Sequence, residues 1–139
     1  MFVASVVREY SSFTELIDAI DRSINILKQQ LTDFLKRLED ARARTERERK
    51  LKELIKRLTG EEDVVIGKLV DLKEIKLFIN PDAEQESKLL EEVIDKINKN
   101  IQTLQNIKRA LEPFAKTDIE IRIFAIYRDG VPEAIIIRL

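Results

Sequence analysis

Phe13, Ile17, Ile20, Ile24, Leu27, Leu31, Phe34, Leu38 and Ala41 fall alternately four and three residues apart without a slip. That spacing keeps an apolar stripe on one side of a gently supercoiled helix, and the stripe asks for another helix to cover it. Leu16 and Leu35 widen it beyond a bare two-stranded seam, which points to a bundle. Just ahead, Ser11 or Ser12 is the natural N-cap, and Ser12 with Glu15 three residues on fits a capping box.

From Arg42 to Lys50 the stripe lapses, while helix propensity stays high. A helix over 12–59 is therefore expected, either continuous or bent at 42–50. Leu51, Leu54, Ile55 and Leu58 restore an apolar face, offset from the first register. Beyond it, Leu90, Val93, Ile94, Ile97, Ile101, Leu104, Ile107 and Leu111 form a second stripe of similar length. Asn80-Pro81-Asp82 opens that helix, with Asn80 as cap and Pro81 in the first helical position, and it spans 81–112. Two matched stripes in one chain most simply cover each other as an antiparallel pair.

Residues 60–80 form a mixed connector. Gly60 can close the first helix, or Thr59 with Glu62 can open another. A short helix or hairpin arm at 63–73 and a strand at 75–79 are expected, because the spacing changes from helical to alternating.

The termini read as strand. Residues 2–10 are rich in Val and aromatic side chains. After Lys116, Ile119, Ile121, Ile123, Ala125 and Tyr127 alternate onto one face, Asp129-Gly130 makes a two-residue turn, and Ala134 to Leu139 returns. The expected fold is α+β and a single domain over 1–139. A long antiparallel helical hairpin, coiled-coil-like or a small bundle, carries a three-stranded antiparallel sheet made by the N-terminal strand 2–10 and the C-terminal β-hairpin 118–139.

Composition narrows the chemistry. With no Cys and no His, the chain lacks thiolate catalysis, Cys-zinc sites and the side chain that titrates near neutrality. Three glycines cannot build a phosphate-cradling loop, and no nucleotide, metalloprotease or hydrolase motif occurs. Asp82, Glu84, Glu86, Glu91, Glu92 and Asp95 have the spacing of a solvated helix face, without a calcium-binding loop. No enzyme, cofactor, metal or small-molecule substrate is expected. The high charge, 37% of residues, suits a thermophilic source. No run approaches a membrane span and no signal peptide is evident, so no membrane and a cytoplasmic location are expected.

The net charge of −1 hides two oppositely charged sections. Residues 36–57 hold ten basic and five acidic side chains, whereas residues 60–97 hold eleven acidic and five basic. Three readings follow. Arg42, Arg44, Arg47, Arg49 and Lys50 could grip phosphates or a partner. They could be a solvated face laced with pairs such as Glu46–Lys50. Or 36–57 could dock on 60–97, in the same chain or another.

The remaining candidate is the last strand, where Ile135, Ile136, Ile137 and Leu139 suit an oligomer interface or a buried position. The expected function is a protein–protein interaction or assembly protein, scaffold or accessory, acting through helical seams and the C-terminal strand edge. Its expected partner is a homo-oligomer, dimer or higher, or another protein. The alternative is a nucleic-acid-binding accessory subunit using 36–57.

Overall fold

A computed structural model describes residues 5–60, 68–116 and 121–139. Along the chain run β1 (Ser5–Tyr10), α1 (Phe13–Thr59), β2 (Lys68–Asp71), β3 (Lys76–Ile79) and α2 (Ala83–Leu111). A 3-10 turn (Glu112–Lys116), β4 (Arg122–Arg128) and β5 (Val131–Arg138) complete it. Two long helices and a three-stranded antiparallel sheet in the order β1-β4-β5 make the α+β fold expected from the stripes and the alternation. α1 passes through 42–50 as one helix, since that run contains neither Gly nor Pro to break it. The expectation for 63–67 lies outside the described residues; after it, β2 and β3 pair as a separate antiparallel hairpin.

Contacts divide the chain into two compact units, one of Met1–Leu31 with Lys96–Leu139 and one of Thr32–Asp95. In the first, β4 is the central strand. Tyr10, Ile123, Ala125 and Tyr127 lie on one face and are all buried, as the alternation requires. The helices of this unit bury Leu16, Ile17, Ile20, Ile24, Ile97, Ile101 and Leu104, so that sheet face and the two stripes share a core. Asp21 and Lys108 bridge α1 and α2 at 2.8 Å. The Thr14 hydroxyl reaches the Ala115 carbonyl at 3.5 Å, so the helices run antiparallel here.

The start of α1 is a variant of the expected capping box. The Glu15 N–H donates to Ser12 Oγ at 3.1 Å. The Glu15 carboxylate reaches back past Ser12, accepting from the Ser11 N–H at 2.9 Å and the Ser11 hydroxyl at 2.5 Å. Those bonds, the hydroxyl's first, hold the Glu15 carboxyl below its ordinary value. At the hairpin, Asp129 and Gly130 both take positive φ, 51° and 81°, the turn whose twist matches the flanking strands. One irregularity follows: Ile126 pairs with Ala134 but Tyr127 with Pro132, leaving Glu133 as an extra residue in β5.

The second unit is held differently. Its buried side chains are few and several are small: Leu38, Ala41, Ala83, Ser87 and Ile94. Polar contacts fix the ends of its helices. Gly60 closes α1 with φ +72° and its N–H on the Lys56 carbonyl at 2.9 Å, as the first of the two readings has it; Glu62, on which the other rests, lies outside the described residues. α2 is capped by Asp82, not Asn80. Asp82 Oδ1 accepts from the Gln85 N–H at 2.7 Å, and Gln85 Oε1 accepts from the Asp82 N–H at 3.2 Å. Asn80 instead takes φ +45°, and Pro81 precedes the cap, so the helix starts at Ala83.

Candidate assembly surfaces

The fold places Ile135, Ile136, Ile137 and Leu139 on or beside an edge strand, since β5 lies outside β4 in the sheet. Cross-strand register sorts them. Ile135 opposes Ala125 and Ile137 opposes Ile123, on the face whose centre is buried. Ile136 opposes Phe124 on the other face. Exposure rises toward the rim: Ile135 is half-buried, whereas Ile136 is 42% and Ile137 51% exposed. Leu139, past the end of β5, is fully exposed.

The second face of this sheet is apolar too. Val7, Ile126 and Ala134 form one cross-strand row, and Phe124 and Ile136 continue it. Val7 is 59% exposed and Phe124 and Ile126 are half-buried. In the sequence Phe124 and Ile126 alternate with Ile123, Ala125 and Tyr127 and so share a side with Arg122 and Arg128, but their meaning needs the strand order. Charge frames the patch. Arg122 pairs with Glu9 at 3.8 Å, Arg128 with Glu133 at 3.6 Å, and the Arg138 guanidinium lies 5.6 Å from the Phe124 ring centre.

In the second unit, the basic stretch meets α2. Arg42 bonds Glu91 at 3.0 Å and Arg44 bonds Glu86 at 2.8 Å. Lys52 lies 3.9 Å from Asp82, and Arg49 lies 3.8 Å from Glu46 on its own helix. Arg47 and Lys50 are exposed. Glu48, inside the basic run, accepts from the Ala83 N–H at 3.0 Å and so satisfies a free amide at the start of α2. Within one unit, residues of 36–57 therefore dock on residues of 60–97. Charge segregation along the chain becomes complementarity between helices.

Among the acidic residues of α2, Glu86 and Glu91 thus engage α1, and Glu84 lies 3.8 Å from Lys88 on its own helix. Among the described residues no three acidic side chains gather as a metal-binding group. Further exposed apolar side chains lie at the end of α1 and in the β2–β3 hairpin. Leu51, Leu54, Leu58, Leu69, Leu72, Ile75, Leu77 and Ile79 are all exposed. The restored stripe of α1 at 51–58 signalled this, because the start of α2 at Ala83 already sits against Glu48. No helix among the described residues is long and apolar enough to cross a membrane. Compared with known proteins, the chain matches no family model, no curated protein and no solved structure.

Proposed function

We propose that this chain is a non-enzymatic assembly protein, a scaffold or accessory subunit that joins protein surfaces through the β5 edge and the open helical seam at 51–58. The observation that carries the reading is the edge itself. Among the described residues no strand pairs with the outer edge of β5, beside Ile136 and Ile137, which are 42% and 51% exposed, and an open apolar edge is a template for another chain. Leu51, Leu54 and Leu58 support it with a second apolar surface.

Nucleic-acid binding through 36–57 is the weaker reading. Glu91 and Glu86 occupy the guanidinium groups of Arg42 and Arg44 that phosphates would need. The assembly reading is tested by light-scattering mass across micromolar concentrations. A mass of at least twice the 16.2 kDa chain is expected, and 16.2 kDa throughout would sink self-association.

A further inference from the structure

We infer that β5 pairs antiparallel with β5 of a second copy about a two-fold axis through Ile136, which sets Arg138 of each copy beside Glu133 of the other. The inference rests on the assembly reading above and supplies its partner and register.

Symmetry limits the choices. Two copies of one edge strand joined antiparallel in a continuous sheet are related by a two-fold axis normal to that sheet. Residues facing each other across the new ladder must point to the same face, so the axis passes through a residue and not between two. Centred on Ile135, the pairing sets Ile137 against Glu133 and Arg138 against Pro132, which has no N–H to give. Centred on Ile137, it sets Ile136 against Arg138. Centred on Ile136, every isoleucine meets an isoleucine: Ile136 meets itself, and Ile135 meets Ile137 twice.

Charge favours the same antiparallel orientation. Glu133 stands near one end of β5 and Arg138 at the other, so the edge is dipolar and fits its own reverse. Both project from the face opposite the buried one. Arg138 opposes Arg122 there, and the extra residue Glu133 reaches Arg128 on that face at 3.6 Å. In the Ile136-centred pairing Arg138 opposes Ala134, next to that extra glutamate. A parallel pairing in equivalent register would set like charges together. The acid–base ends therefore favour a second copy, antiparallel, over a parallel neighbour.

The test uses the absence of cysteine from the chain. Across an antiparallel pair, a residue opposite itself has Cα atoms about 4.5–5.5 Å apart, within disulfide range. Ile136→Cys should give a covalent dimer on mild oxidation. Ala134→Cys should not, since its two copies would lie four residues apart along the strands, about 13 Å. Arg138→Glu or Glu133→Arg alone should weaken the dimer about tenfold, and the double swap should restore it. A wild-type mass of 16.2 kDa would overturn the inference together with the self-association it rests on. A dimeric wild type in which Ala134→Cys cross-links and Ile136→Cys does not, or in which the swap fails to rescue, would overturn this register and leave the assembly reading standing.

Discussion

Tyr10 and Tyr127 share a buried hydrogen bond of 2.6 Å between their phenol oxygens, tying β1 to β4 on the covered face of the sheet. Burial first, and the bond second, push the Tyr127 phenol well above its ordinary value near 10.0. A raised value means that this contribution is complete below about pH 10 and is lost as pH rises toward the folded-state value. Lys108, raised chiefly by its bond to Asp21, acts in the same direction above its ordinary 10.5. Stability from urea unfolding should therefore fall as pH rises beyond 10. Tyr127→Phe should cost about 1–3 kcal/mol at neutral pH, because the Tyr10 hydroxyl loses its buried partner, and should flatten part of the alkaline decline.

At the other end of the scale, Glu15 has a lowered carboxyl value. Its contribution is complete above the ordinary 4.5 and disappears as pH falls through the lower folded-state value. Thermal unfolding followed between pH 7 and 3 should show a smaller acid loss in Glu15→Ala than in the wild type. Ser12→Ala removes the acceptor of the Glu15 N–H and should cost about 1 kcal/mol at pH 7.

Leu16 and Leu35 look alike in sequence, both flanking the main stripe, yet Leu16 is fully buried and Leu35 is 47% exposed. Leu16→Ala should cost about 2–5 kcal/mol in denaturant unfolding, whereas Leu35→Ala should stay within about 1 kcal/mol. Equal losses would mean that Leu35 is covered in solution, as it would be inside an oligomer.

Lys73 takes φ +71° in the turn between β2 and β3, with its N–H held by Asp71 Oδ1 at 2.9 Å. A side chain in this left-handed region costs about 1–2 kcal/mol, of which glycine's greater unfolded-state freedom cancels part. Lys73→Gly should leave the hairpin more stable by up to about 1 kcal/mol, read as slower amide exchange in β2 and β3.

That turn also shows where the sequence stopped being readable. Leu72-Lys73-Glu74-Ile75 contains none of the glycine or asparagine that marks a tight turn, because Asp71 substitutes a carboxylate bond for conformational freedom. The long stripes were legible because a 3.5-residue repeat has one geometric meaning, and the Asp129-Gly130 turn because positive φ has few occupants. The sequence puts the α2 cap two positions early, at the motif's leading Asn80. Asp82 and Gln85 form a capping box just as valid, and local rules did not rank the two. Docking of the basic stretch stood among three readings, since charge along a helix says nothing of which neighbour it meets until Arg44 is found 2.8 Å from Glu86.

The extra residue in β5 sets the phase of everything after it. Because Ile126 pairs with Ala134 and Tyr127 with Pro132, strand pairing skips Glu133, and Ile135 and Ile137 fall on the covered side. Excising Glu133 would leave every later residue opposite its present neighbour, whereas pairing it with Ile126 in place of Ala134 would turn the whole isoleucine run over. It is the one position in the strand where the chain can be shortened without re-addressing the core, and its side chain is the acidic half of the edge's polarity. A single deletion there is thus the smallest edit that separates how this chain folds from how it would recognise another.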